Sequence, residues 1–182
     1  MRVTKRDGRL ENVRFDKISK RLEVLCAMEP VLGVDHTRVA AAVCSSVTDC
    51  ITTSRLDELT AEVAAGLATD HPDYGALAAR VLISNLQKNT QSSVIDTYES
   101  MAELLDPEFL AAAREHAGEL QDMVDYSYDF DFDYFGFKTM ERLYLTRLRG
   151  RVMERPQHMW LRVALALWKH DLPRVRETYD HM

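Results

Sequence analysis

From Ile18 onward, the apolar positions of the chain fall mostly at helical spacing. Ile18, Leu22 and Leu25 recur at i, i+4 and i+7 behind Asp16, which stands where an N-cap belongs. A second helix is predicted to start near Asp35, with Val39, Val43, Val47 and Ile51 spaced by four. The stretch "TTSRLDELTAEVAAGL" opens a third. Ser54 and Asp57 have capping-box spacing there, with Asp in place of the usual Glu or Gln, and Leu56, Leu59, Val63 and Leu67 form the stripe. "HPDYGALAARVLISNLQKNT" makes a fourth, with Pro72 at the first turn, where its missing N–H costs nothing. Ahead of these helices, Val3 to Arg6 and Arg9 to Val13 flank Asp7-Gly8. Asp-Gly between two such segments signals a tight hairpin in which both turn residues are expected at positive φ. The fold class that follows is mainly α with a small N-terminal β-hairpin, open to extension by a third strand and capping four helices.

Beyond residue 92 the pattern is sparser. Helices are predicted over 107–120, 137–148 and 156–168. The alternation of aspartates and aromatics in "DYSYDFDFDYFGF" reads as an extended segment with one buried face, or as chain pinned against a further part of the protein. A calcium loop does not fit it. With Asp129, Asp131 and Asp133 as positions 1, 3 and 5, Tyr134 falls where Gly is obligatory and Met140 where the bidentate Glu belongs. His158 in "RPQHM" has no partnered carboxylate in sight to make it an acid or base, so a structural role near the start of the body is expected.

Composition sets bounds on function. Hydrophobic residues make up 46% and charged residues 29% of 182, as in ordinary globular proteins. No run of about 18 apolar residues offers a membrane span, and "MRVTKRDGRL" lacks the apolar core of a signal peptide. The three cysteines, Cys26, Cys44 and Cys50, form no Cys-x-x-Cys pair. Reduced thiols in a cytoplasmic protein are the expectation, with no metal site. Net charge is -6, yet residues 1 to 25 carry eight Lys or Arg against four acids. With a pI near 5.5 this is no general nucleic-acid binder. A local basic pocket for a compact anion suits it better.

The residues "VTKRDGRLENVRFDKI", the helix start "TTSRLDEL" and "HPDYGALAARVLISNLQK" closely resemble the ATP-cone, the nucleotide-sensing domain of ribonucleotide reductase large subunits. "YDFDFDYFGFKTMERLYL" followed by "ERPQHMWLRVALAL" resembles the segment leading into the catalytic body of the class I, eukaryotic-type large subunit. The resemblance implies an ATP-cone over 1–92 and a helical linker plus the start of the reductase body over 93–182. The ten-stranded α/β barrel, with its catalytic cysteines, would follow after Met182. No catalytic residue is therefore assigned, and the chain alone is expected to be inactive. Leu143, Leu145, Leu148, Val163 and Leu165 exceed what so short a region can bury, which implies an exposed docking surface for that body.

Carried over position by position, the resemblance implies an allosteric ATP/dATP site at Lys5 and Arg6, at Glu11, Asn12, Val13, Arg14, Phe15, Asp16 and Lys17, and at Thr53, Asp57 and Lys88. Asn12 and Arg14 stand at variable positions within that run. Lys5, Arg6 and Lys88 suit phosphates, since a triphosphate must be met by converging cations and backbone N–H groups. Val13 and Phe15 suit the flanks of an adenine, and Asp57 suits a ribose hydroxyl or the base amino group. ATP would sustain activity and dATP suppress it, with Mg accompanying the nucleotide. The implied partners are the radical-generating small subunit and further large subunits, with no nucleic acid and no membrane. The competing reading is a free-standing ATP-cone sensor or a piece of a split reductase. ATP-cone transcription regulators carry a zinc ribbon, whose Cys-x-x-Cys ligands this chain lacks.

Overall fold

In the computed structural model, which describes all 182 residues, the chain opens on a hairpin. Strands β1 (Arg2–Thr4) and β2 (Leu10–Asn12) pair antiparallel, with Val3 opposite Glu11. The turn differs from expectation. Only Gly8 takes positive φ, at 85°, and Asp7 does not. The Gly8 N–H donates to Lys5 O at 3.0 Å and the Lys5 N–H to Arg9 O at 2.8 Å, which describes a longer loop closed by a left-handed glycine. The Asp7 carboxylate is instead spent on the Arg9 backbone N–H and guanidinium. A third strand, β3 (Ile51–Thr52), adds parallel to β1, giving the order β2-β1-β3.

The chain divides into two compact units, the first comprising Met1–Asn85 with Phe132–Phe137. Its helices are α1 (Phe15–Cys26), α2 (His36–Ser46), α3 (Thr53–Gly66) and α4 (Asp73–Asn89), the last four residues of α4 counting with the second unit. Asp35 caps α2 as expected, accepting from the Thr37 and Arg38 N–H groups. Two other caps are corrected. The N-cap of α1 is Arg14, so Asp16 lies inside the first turn, where a carboxylate favours the helix dipole. The cap of α3 is Thr52, which accepts from Arg55 N, and not Ser54 with Asp57. Helix α2 ends at Ser46, so Val47 is its C-cap and Ile51 a strand residue. On α3 the buried face is Asp57, Thr60, Ala61 and Ala64, while the leucine stripe is half-buried. Helix α2 packs against α3.

The core of this unit gathers Leu22, Leu25, Val39, Ala40, Val43, Leu77, Ala78, Val81 and Ile83. One buried polar side chain organises the connection after α1. Arg80, 5% exposed, donates to the carbonyls of Leu25 at 2.8 Å, Met28 at 3.0 Å and Pro30 at 2.7 Å. Desolvation lowers its pKa, but from so high a starting value that it stays charged at neutral pH.

The second unit is Leu86–Asp131 with Lys138–Met182. Its core joins Val94, Tyr98, Met101, Phe109, Leu110, Leu120, Leu161, Leu165, Val175 and Tyr179. These come from α5 (Val94–Ser100) and its C-cap Met101, and from α6 (Pro107–Glu115), α7 (Ala117–Met123), α9 (Pro156–Trp168) and α10 (Leu172–Asp180). The single helix expected over 107–120 is two, because His116 leaves the helical region at φ -110°, ψ 22°. The expected 137–148 helix is α8 (Tyr134–Leu143), followed by a hairpin of β4 (Arg147–Leu148) and β5 (Arg151–Val152) turning on Arg149 and Gly150, both at positive φ.

The Asp-aromatic segment is not extended. Tyr126–Asp131 forms a 3-10 helix that buries Asp129, whose carboxylate accepts from Gln87 Nε2 at 2.8 Å. Burial raises the Asp129 pKa. His158 is wholly buried, with Nε2 2.7 Å from Tyr126 Oη, and burial followed by the nearby Arg155 charge pushes its pKa down to about 3. It is a neutral structural residue. Of the five residues in the expected apolar surplus, Leu145 and Leu165 are buried, Leu148 and Val163 half-buried, and Leu143 is 68% exposed. Ten α-helices and two small sheets make the protein mainly α. No helix is long and apolar enough to cross a membrane.

Replacing Arg80 with Leu strips three carbonyls of their donor. The expected loss, by urea unfolding, is about 3 kcal/mol, since each buried acceptor left without a partner costs ~1–3 kcal/mol, less where water reaches it. Arg80→Lys, with one point charge for a two-pronged donor, should recover only part of it.

Candidate functional site

Two polar clusters grow out of the hairpin. The first is built on Glu11 in β2. Lys5 Nζ, just past β1, lies 2.9 Å from Glu11 Oε2, and Lys17, in the first turn of α1, pairs with Oε1. The Lys17 and then the Lys5 hydrogen bonds hold the Glu11 carboxyl down at about 2. Between Glu11 and Lys17 the chain turns into the helix. The Val13 N–H is tied to Met1 O at 3.0 Å, and Arg14 caps α1 without a side-chain hydrogen bond. The first N–H groups of α1 therefore point outward beside two lysines, with Asn12, Arg14, Phe15 and Asp16 exposed and Val13 half-buried around them.

The second cluster is built on Asp57, which α3 buries to 5% exposure. Its Oδ2 faces Arg6 Nη2 at 3.5 Å, and its Oδ1 accepts from Arg21 of α1. Arg6 also reaches Thr53 Oγ1 at 3.5 Å and Asn85 Oδ1 at 2.7 Å. Asn85 in turn donates to Ser54 Oγ at 3.2 Å, and Arg21 Nη2 stands 3.4 Å from Ser84 Oγ. Arg21 Nε is shielded from solvent with no acceptor. The turn after β1, α1, α3 and α4 thus meet at one carboxylate.

Of the residues expected from sequence, the structure brings Arg6, Thr53 and Asp57 together in one cluster and Lys5, Glu11 and Lys17 in the other. Lys88 stands in the last turn of α4 and lines a cleft of about 350 Å³ in the second unit with Asn89, Gln91, Ser100 and Arg151. Arg21, Ser84 and Asn85 were missed. Arg21 had a signal. It lies one helical turn after Lys17, on the face next to the Ile18–Leu22 stripe, where a cation is turned partly inward. Asn85 had none, since a polar residue in the apolar run of α4 is told from a surface residue only by what folds against it.

Comparison with known proteins extends this geometry. The family described as "ATP cone domain" matches residues 1–89, and that described as "Ribonucleotide reductase, all-alpha domain" matches residues 130–182. The ribonucleoside-diphosphate reductase large subunit of Dictyostelium discoideum is 44% identical over 196 residues, covering all of this chain and 22% of that protein. The large subunit of Arabidopsis thaliana is 44% identical over 193 residues, covering all of this chain and 24% of its own length. That of Variola virus is 36% identical over 191 residues, with 99% and 25% covered. The chain therefore spans about a quarter of the length of these relatives.

Glu11 gives a direct readout of the first cluster. Its carboxyl should titrate near 2 by NMR, against an ordinary value of 4.5. The folded value is the lower one, so the stabilisation is fully present above 4.5 and is lost as pH falls towards 2. Lys17→Ala should move the midpoint up, and so should high salt, because the pair is open to solvent. A midpoint that ignores Lys17 would remove the pairing.

Both family matches occur in order along one chain and the identities along its whole length agree with them, so the chain is an ATP cone followed by sequence of the ribonucleotide reductase all-alpha domain.

Proposed function

We propose that the chain is the regulatory front of a ribonucleoside-diphosphate reductase large subunit, in which residues 1–92 sense nucleotide and residues 93–182 lead into the catalytic body. The enzyme as a whole makes deoxyribonucleotides from ribonucleotides in the cytoplasm, with its catalytic cysteines outside this chain. The observation that carries the reading is that cations of the hairpin and of α1 gather in two clusters, Lys5 and Lys17 about Glu11 and Arg6 and Arg21 about Asp57. In this reading the polyphosphate of ATP or dATP, with Mg, takes Lys5, Arg6, Lys17 and Lys88. Val13 and Phe15 flank the base, Thr53 and Asp57 read the sugar or the base amino group, and the backbone from Glu11 through Asn12, Arg14 and Asp16 forms the wall between.

ATP sustains activity and dATP suppresses it by favouring different assemblies of large subunits with the radical-generating small subunit. Linkage requires each nucleotide to bind one assembly more tightly than the other. A free-standing sensor is the weaker reading, because the all-alpha-domain match over 130–182 would have no purpose in it.

Calorimetry on the full chain tests the site. ATP and dATP should both bind, and Lys5→Ala or Lys88→Ala should weaken both about 10- to 100-fold, the scale of a lost charge-assisted hydrogen bond. Absence of binding at millimolar nucleotide, with the fold intact by circular dichroism, overturns the proposal. Asp57→Asn should change the ATP/dATP preference more than the total affinity, with its melting temperature followed in parallel because Arg6 and Arg21 lose their counter-charge. Equal losses for the two ligands would take Asp57 out of discrimination.

A further inference from the structure

Away from the nucleotide clusters, the second unit brings three metal-ligating side chains to one spot. Glu115 ends α6, His116 is the non-helical junction before α7, and His170 lies in the turn between α9 and α10. One ligand atom from each lies within 4.8 Å of the other two. His170 Nδ1 is 3.2 Å from Glu115 Oε2, and the two imidazoles meet edge to face with centroids 5.7 Å apart. Two further observations set this apart from a chance surface grouping. His116 Nε2 is shielded from solvent and has no hydrogen-bond partner, although an imidazole nitrogen in such a place ordinarily finds one. Lys169 is held at φ 48°, ψ -102°, a region that non-glycine residues rarely occupy, and this turn delivers His170 to Glu115.

We propose that Glu115, His116 and His170 form a binding site for a borderline divalent transition metal such as zinc, independent of the nucleotide site. Two imidazoles with one carboxylate select this class over magnesium or calcium, which take oxygen ligands. Metal–ligand bonds of about 2.0–2.1 Å set tetrahedral ligand atoms about 3.3 Å apart, so closure asks for a contraction of at most about 1.5 Å. Glu115 and His170 are the two exposed members and are free to swing that far by side-chain rotation. The scaffold beneath them is fixed: α6, α9 and α10 share one core, and Lys169 pairs with Glu108 at the start of α6. Three protein ligands leave a fourth position for water or a further ligand. The metal would staple the α6–α7 junction to the α9–α10 turn. Sequence reading had no sign of it, because Glu115-His116 is a plain dipeptide whose partner lies beyond three further α-helices.

The test is a titration of the full chain with Co(II), followed by its visible absorption, with displacement by Zn(II). Saturable one-to-one binding with the strong bands of a four- or five-coordinate ion is expected. His170→Ala and Glu115→Gln, both at exposed positions, should each weaken it by more than about tenfold, at least the loss seen on removing an outer partner of a ligand. His71→Ala, which removes the separate exposed His71–Asp73 pair, should leave binding unchanged. Equal affinity in wild type and His170→Ala, dependence on His71, or only the weak spectrum of six-coordinate aqueous cobalt would each overturn the proposal.

Discussion

The first unit depends on one buried carboxylate. Asp57 sits at the base of α3 with an arginine on each oxygen, Arg6 from the hairpin loop and Arg21 from α1. An unpaired carboxylate at that depth would be costly to bury, and here each of its oxygens meets a different guanidinium. Together they give three separate pieces of chain a reason to meet, and Asn85 extends the meeting to α4. Such a network adds little net stability over an apolar replacement. Its value lies in fixing which orientation of hairpin and helices is allowed, and so in placing the neighbouring cations.

The second unit reaches order by different means. Its interior is a helical core into which a few satisfied polar groups are set. Glu154 accepts from Thr146 N and holds Arg162 through both oxygens, while Tyr98 Oη donates to His158 O and Tyr179 Oη to Gln157 Oε1. The Glu154 links span only eight residues, but the two tyrosine links join segments 60 and 22 residues apart. The helical pattern alone could therefore predict α9 but not what its buried face would grip.

Legibility followed the range of the physics involved. Local determinants were readable: a hairpin about Asp7-Gly8, the Asp35 cap and the start of α9 at Pro156 depend on neighbouring residues. Long-range determinants were misread. Asp57 has the spacing of a capping residue, but Arg21 and Arg6 claim it, leaving Thr52 to cap α3. The Asp-aromatic alternation suggested a strand, yet burial of Asp129 against Gln87 fits a 3-10 helix, where every third residue shares a face. Of the site, the residues recognised by resemblance were named from sequence. Those contributed purely by packing, Asn85 and Ser84, were not.

The pairing of Glu11 with both Lys5 and Lys17 sets an entry condition on that surface. Any visiting anion meets lysines that already have an occupant, so it must outbid a carboxylate. By charge alone, a singly charged visitor would gain almost nothing by the exchange, whereas one bearing several negative charges would keep a surplus after displacing the glutamate. Under the proposed reading, that wall would act as a threshold on charge, held shut by its own side chain.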